Sequence, residues 1–447
     1  MDMKAIIGDT TRQRAAAVDA QGLRGYHRPR MKIFHLADLH LGKTAYGRDL
    51  IDDQRYVLDH IRVLAGRERP AAIVIAGDVF DRAVPSTDAV RLFGDFVAGL
   101  KEADPDLAMA VIPGNHDSAA RLAFLSGILD KSGVYLRADA SDCDRPIVVG
   151  QDGQVVRLWL VPFLTPGSLA ATELALTGIV STNGGSDYSD EGIGELFADA
   201  SRTVDGASPI LRSQSDLLVE ALRRIGAARA GLERGADVVV CHVFAAGGAS
   251  SDSERAFLGT AELVDASLFD SFEYAALGHL HRPQAAGGKA RYPGSILRYS
   301  FADEVAEHGF LLVEIAPGSA EARFVSIDPL RRMIRLEGSF DEVLADPRWS
   351  EFEDDYIEAM LTDADAVLNP VEALRRRFPN LLSVRQAAFE RGDATGTQSL
   401  ATRPDRKSVL DDFRDFCLEV RGAVPDEPTE RVFLELLKEA GHETHQA

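Results

Sequence analysis

Cysteine is nearly missing from this chain: three residues in 447, Cys143, Cys241 and Cys417, an odd number without any CxxC spacing. That excludes a disulfide framework and a zinc ribbon, and it fits a protein working in a reducing cytosol. Long apolar runs are missing as well. No stretch approaches the roughly 18 apolar residues a membrane-spanning helix needs, so a soluble, cytoplasmic protein with no membrane association is expected. Positive charge is in deficit, with 49 Lys and Arg against 70 Asp and Glu and a formal charge of -21 at pH 7. Such a chain does not coat nucleic acid unaided, because sequence-independent DNA affinity comes largely from Lys and Arg neutralising phosphates. Work on DNA would require cations held at the site and a partner that helps to retain the substrate. No internal repeat is present either.

What is present suits a globular enzyme: 45% of the residues are hydrophobic and 27% charged. At roughly 100 to 200 residues per domain, the length allows two or three domains and a large core. Residues 1–30 carry Arg12, Arg14, Arg24, Arg28 and Arg30 but no continuous apolar stretch of the kind a secretory signal requires, and are expected to be a poorly ordered extension. From Met31 short apolar runs alternate with helix-period stretches, which predicts an α/β layered fold. Lys32–Ala37, Ala71–Ala76, Leu107–Ile112, Asp237–Cys241 and Phe272–Leu277 read as strands. Ile51, Val57, Leu58, Ile61 and Leu64 mark one helix, Val90, Phe93, Phe96, Val97 and Leu100 another, and Leu211–Ile225 a third. Thr182–Ser189, rich in Gly, Ser and Asn and followed by acidic residues, reads as a mobile surface loop. Beyond about Ile327 the pattern suggests a small second α/β domain, 327–390, then a linker, 391–404. Residues 405–447 follow, with two apolar stripes parted by Pro425 and Pro428 that predict a helix-loop-helix.

Five polar segments each follow an apolar run: Asp38-Leu39-His40, Gly77-Asp78-Val79-Phe80-Asp81, Gly114-Asn115-His116-Asp117, Cys241-His242 and Gly278-His279-Leu280-His281. Ligands of open α/β sheets collect outside the carboxyl ends of the strands, so five such segments can converge on one place. Imidazole and carboxylate donors suit manganese, iron or zinc. In extended chain, residues two apart point the same way, so Asp38 with His40 and His279 with His281 would present paired donors. The glycines at 77, 114 and 278 would permit tight turns beside those donors. Singly most of these signals are weak; GNHD is the stronger one, because four polar or flexible residues directly after Val111-Ile112-Pro113 have little structural use unless they bind something. A lone DxH or HxH arises by chance, GDxxD after a strand can be a capped turn, and Cys241-His242 alone passes for a core cysteine beside a surface histidine. Together they are specific, since five of the eleven histidines fall in these segments. Two cations about 3.5 to 4 Å apart would clamp a phosphate and activate a water.

In that order, D-x-H, G-D-x-x-D, G-N-H-D, C-H and G-H-x-H resemble the calcineurin-like metallophosphoesterase superfamily. His35–Gly42, Gly77–Asp81, Ala275–Gln284 and Pro293–Ser295 are similar to one branch of it, the SbcD-type nuclease subunits of bacterial complexes, over about Met31–Glu314. The resemblance implies a metallophosphoesterase β-sandwich flanked by helices (31–326), a capping domain, and C-terminal helices that grip an SbcC-like coiled-coil ATPase. It implies that Asp38, His40 and His281 hold one metal, that Asn115, His242 and His279 hold the other, and that Asp78 bridges both. His116 would face the scissile phosphate, oriented by Asp117. The metals implied are two divalent ions, Mn2+ above all, and the reaction is hydrolysis of DNA phosphodiesters in repair, recombination and replication. Cleavage would be 3'-to-5' on duplex ends and endonucleolytic on single strands and hairpins, by a homodimer within a heterotetramer. Residues 1–30 have no counterpart in that branch. Two alternatives remain: a phosphatase or cyclic-nucleotide phosphodiesterase of the same superfamily, and a non-catalytic scaffold at DNA ends. The chain beyond Ile327 weighs against the first, and a full ligand set against the second. The C-terminal stripes could also pack on their own domain instead of on a partner.

Overall fold

The computed structural model describes residues 30–169, 211, 213–233, 235–245, 263–301, 307–386, 413–414, 425–426 and 429–433. The expectations for residues 1–29, the 182–189 loop and the 391–404 linker lie outside them. Twelve strands build two sheets: β1 (Met31–Leu36), β2 (Ala72–Ala76), β3 (Ala108–Ile112), β4 (Val134–Leu136), β5 (Ile147–Gln151), β6 (Gln154–Val161), β7 (Ala236–His242), β8 (Tyr274–Gly278), β9 (Gln284–Ala286), β10 (Ala290–Tyr292), β11 (Gly309–Ala316) and β12 (Ser319–Ser326). One sheet has the order β12-β11-β1-β2-β3-β4 and the other β9-β10-β8-β7-β6-β5. Strands β1 to β4 run parallel, and β11 returns antiparallel to β1 in the register Met31 with Ile315.

Side chains alternate as the period of a strand dictates. Ala72, Val74 and Ala76 of β2 face Val238 and Val240 of β7 in the core between the sheets, while Ile73 and Ile75 face helices. Those helices are α1 (Ile51–Glu68) and α2 (Thr87–Ala103), the crossovers between parallel strands. On the far side of the second sheet, α3 (Gln214–Arg229) packs Leu217, Leu218, Ala221 and Ile225 against it. This helix starts three residues later than the apolar pattern predicted. Ser213 and Asp216 form a reciprocal capping box that fixes the first turn there. The result is a four-layer α/β/β/α sandwich whose parallel strands of both sheets end at the same edge.

The second α/β region begins at β13 (Met333–Gly338) and continues through α4 (Phe340–Ala345), β14 (Tyr356–Leu361), α5 (Pro370–Arg377) and β15 (Leu381–Gln386), a three-stranded parallel sheet with its own core. It joins the sandwich through apolar packing of Met333, Tyr356 and Leu382 and through polar contacts: Arg331 and the Tyr356 hydroxyl both bond the Asp53 carboxylate, at 2.9 and 2.6 Å, and Arg48 bonds Asn380 at 2.7 Å. The chain divides after Ala387 into a second unit. Within it the Phe413 and Phe433 rings stack 4.0 Å apart and Arg414 pairs with Glu430. Among the described residues no helix is long and apolar enough to cross a membrane.

Strand β7, which ends in His242, is anchored at its start by Asp237. This buried carboxylate accepts from Arg157 at 2.6 and 2.9 Å, from the Trp159 indole at 2.8 Å and from Arg229 at 3.0 Å. Removing one partner of a buried ion pair strands the other charge. We therefore expect Asp237→Ala to lower the unfolding free energy by about 3 kcal/mol or more, read from the urea midpoint. An unshifted midpoint would mean that this network does not hold the strand.

Candidate metal centre

The loop after β1 brings Asp38 and His40 to the common edge, and it does so against the extended geometry expected. Asp38 has φ 52° and His40 φ 43°, both in the left-handed region, as are Asp78 at 50° and, outside the usual regions, His279 at 110°. The paired donors thus converge through strained turns and not through strand alternation, with each such residue costing about 1–3 kcal/mol that the surroundings must offset. Main-chain bonds tie the loop down: Asp38 N–H to Gly77 O at 3.1 Å and His40 N–H to Asp78 O at 3.0 Å.

The glycines serve closeness more than turning. Of the three, only Gly77, at φ 92°, is left-handed. A Cβ on Gly114 would overlap the Asp78 carboxylate, and one on Gly278 would overlap the Ala76 carbonyl. That carbonyl accepts the His242 Nδ1–H at 2.9 Å, which fixes the His242 tautomer and leaves the Nε2 lone pair facing the site.

Donor atoms crowd the resulting cavity. His40 Nε2 and His281 Nε2 lie 3.0 Å apart. Asp78 Oδ2 is 3.7 Å from His40 Nε2 and 3.5 Å from His242 Nε2, while Asp78 Oδ1 accepts the His116 N–H at 3.0 Å. Asp38 accepts the His279 N–H through both oxygens, at 3.0 and 3.2 Å. Asn115 Oδ1 is 2.9 Å from His242 Nε2 and 3.3 Å from His279 Nδ1. Three overlapping groups have donor atoms within 4.8 Å of one another: Asp38, His40 and His281; His40, Asp78 and His116; Asp38, Asp78 and His242. The structure therefore brings together all the metal-ligand candidates named from the sequence.

These residues fit divalent cations. With Nδ1–H committed to Ala76, the Nε2 of a neutral His242 is an acceptor, yet it faces the amide oxygen of Asn115, also an acceptor. A cation between them satisfies both. Burial favours the uncharged imidazole, pushing His242 and His279 down to about 4 and lowering His40 and His281, so that lone pairs are available to a metal at neutral pH. Burial also raises Asp78.

His116 and Asp117 are half-buried beside the cluster. The His116 Nδ1 is 2.9 Å from the Asp81 carbonyl, to which it can only donate. The Asp117 carboxylate accepts the N–H groups of Val79, Phe80 and Gly114 at 2.9 to 3.0 Å, clasping the two loops that carry Asp78 and Asn115. Burial and then the neighbouring Asp78 push Asp117 up to about 6, against those three bonds. Asp81, in the motif but given no role from sequence, also pairs with Lys43 at 2.7 Å.

The calcineurin-like phosphoesterase family matches residues 31–283, more than half of the chain, and the chain belongs to that family. Residues 329–421 match a second family, the type 5 capsule protein repressor C-terminal domain. A curated relative, the SbcD component of the nuclease SbcCD from Staphylococcus saprophyticus, is 28% identical over 386 residues, covering 86% of this chain and 92% of its own. Similar solved structures include GAP50, the anchor in the inner membrane complex of Plasmodium (12% identity, 67% of this chain and 85% of that one, TM-score 0.37), and a dimetal phosphatase from Danio rerio (14%, 66% and 98%, 0.34). The α/β metallophosphoesterase architecture and the phosphoesterase class expected from the motifs both hold.

The sign of the pH dependence follows from the imidazoles. Their folded-state values lie below the unfolded value of about 6.5, so the unfolded chain takes up protons first as the pH falls. Their contribution to stability is complete above that value and is lost in acid as the pH falls towards about 4, the value of His242 and His279. The raised Asp78 and Asp117 pull the other way, but there are only two of them. Metal-stripped protein should lose denaturation midpoint steadily from pH 7 to pH 4.5, and saturating Mn2+ should raise the midpoint at pH 7 and delay the loss to lower pH. A midpoint that ignores Mn2+ would remove the metal reading.

Proposed function

We propose that this chain is the metal-dependent DNA nuclease subunit of a complex with a coiled-coil ATPase. The observation that carries the proposal is the cavity holding donors from five loops, in a chain that extends beyond the phosphoesterase region through a second domain to a further unit. On this reading Asp38, His40 and His281 would hold one metal and Asn115, His242 and His279 the other, with Asp78 shared between them and Mn2+ as the ion. Such a pair, when bound, supplies Lewis acidity to the phosphate and a nucleophilic water at neutral pH. Two carboxylates set against two divalent cations leave the pocket positive, which answers the acidity of the whole chain where a phosphodiester has to dock.

The protein's own part is positioning and proton transfer. His116 faces the scissile phosphate from the rim. Because its Nδ1–H is donated to the Asp81 carbonyl, Nε2 is the nitrogen that exchanges a proton with the leaving oxygen. Asp117 acts on this step indirectly, by fixing the loop from which His116 projects. Lys43, drawn inward by Asp81, is placed to meet a substrate phosphate.

The assembly is read as a homodimer within a heterotetramer in the cytoplasm. Phe124, Leu125 and Ile128, at 71%, 51% and 64% exposure, sit in one short stretch just after the GNHD motif and supply an apolar face suited to a second copy. The stacked Phe413 and Phe433 rings, in the unit after Ala387, join the two apolar stripes of residues 405–447, the segment to which the ATPase-gripping role is given.

His116→Ala should lower Mn2+-dependent cleavage of labelled duplex and hairpin DNA by about 100-fold or more while two metals still bind, as measured by metal analysis. Loss of metal in this variant would show that the division of roles is wrong, and preference of the wild type for para-nitrophenyl phosphate over DNA would favour a small-molecule phosphatase. Removing residues 405–447 should leave cleavage of short DNA intact and abolish co-purification with the ATPase. Retained association would refute the role given to that segment.

A further inference from the structure

Helix α1 carries an anomaly on its buried face. The apolar stripe of Val57, Leu58, Ile61 and Ala65 continues toward the helix start through Gln54, a carboxamide with 0% exposure. A buried amide without partners is costly, so what it bonds explains why it is there. Gln54 Oε1 accepts the Gly42 N–H at 2.9 Å, and Nε2 donates to His40 O at 2.7 Å and lies 3.1 Å from the Tyr299 hydroxyl and 3.4 Å from Leu39 O. The Tyr299 hydroxyl donates to Leu39 O at 2.5 Å. Two buried side chains from outside the loop, Gln54 of α1 and Tyr299 from far along the chain, therefore grip its main chain at Leu39, His40 and Gly42.

That loop is the one that cannot hold itself, since both Asp38 and His40 have left-handed backbones. Tyr299 also sets its ring edge-on to His40, with centroids 5.9 Å apart. The turn of α1 that presents Gln54 is fixed from the other domain, because the preceding residue, Asp53, receives Arg331 and Tyr356.

We propose that Gln54 and Tyr299 are positioning residues for one of the two metals: they hold the strained Asp38–His40 loop so that both donors meet a single ion. This rests on Asp38 and His40 being ligands, as in the function proposed above. Neither residue touches the reacting atoms, so the effect is on metal affinity first and on turnover only through it. Outer-shell partners of metal ligands typically matter by 10- to 100-fold in affinity.

The test is a Mn2+ titration of the full-length chain, followed by electron paramagnetic resonance of the free ion, which gives the number and strength of sites without any activity assay. Gln54→Leu and Tyr299→Phe should weaken one of the two sites by about 10- to 100-fold and leave the other unchanged. Gln54→Glu keeps the acceptor for Gly42 N–H but loses the donor to His40 O, so it should fall between wild type and Gln54→Leu. Tyr299→Phe removes one hydroxyl only, and decides the matter if Gln54→Leu does not fold. Two sites of wild-type strength in Tyr299→Phe would overturn the proposal, as would an equal weakening of both sites that merely tracks a lower melting midpoint. Wild-type protein that binds two Mn2+ but cuts no DNA would sink the nuclease reading and leave this one standing. Fewer than two sites in the wild type would overturn the ligand assignment and this proposal with it.

Discussion

The Asp78 carboxylate is buried between imidazoles that arrive from both sheets, and most of the local structure answers to that placement. Taking a carboxylate out of water is costly unless positive charge or hydrogen bonds compensate, and here one oxygen takes the His116 amide while the other faces His40 and His242. The neighbouring rings are held neutral by their own burial, so this carboxylate is neutralised either by a proton, the direction in which burial pushes it, or by a cation held in the site. The same crowding dictates details elsewhere. Gly114 has no room for a Cβ beside this carboxylate, Asp78 itself takes a left-handed backbone, and Asp117 ties the two residues that follow it to Gly114.

Much of this was legible in the sequence, for a physical reason. Each strand buried on both faces reads as an apolar run, and a polar cluster directly after such a run has little structural use, so GNHD stood out, while GHxH gained weight only in combination. The strand expectations at Ala72–Ala76 and Ala108–Ile112 held to within a residue, and the helix Ile51–Glu68 starts where its apolar pattern does and runs four residues past the last marked position, because burial enforces the pattern. The left-handed residues were not legible. Asp and His carry no local mark of positive φ, and the convergence of Asp38 with His40 was expected from strand alternation that the loop does not have. Gln54 was missed although its signal is present: it stands in register with Val57, Leu58 and Ile61, where an apolar residue belongs. Strands β5, β6, β11 and β12 passed unremarked because alternation along the half-exposed ones, such as Ser319–Ser326, gives a weak signal.

The three-stranded sheet reaches the metal loop through helix α1. Asp53 faces Arg331 and Tyr356 of that domain, and the next residue, Gln54, faces the metal loop. Arg298, one residue before Tyr299, bonds the carbonyl of Met333 at the start of β13. The three-stranded sheet is thus joined to the metal loop through hydrogen-bonded groups at two points.

The way the two sheets share their ligands also sets an order of events during translation. The first aspartate of the centre leaves the ribosome more than two hundred residues before its last histidine, and β1, which leads into it, stays without its antiparallel neighbour until Gly309–Ala316 has been made. A nascent chain therefore holds only an incomplete donor set through most of its synthesis. The donor set can be complete only once residue 281 has been made, and β1 is paired on its outer side only once β11 follows.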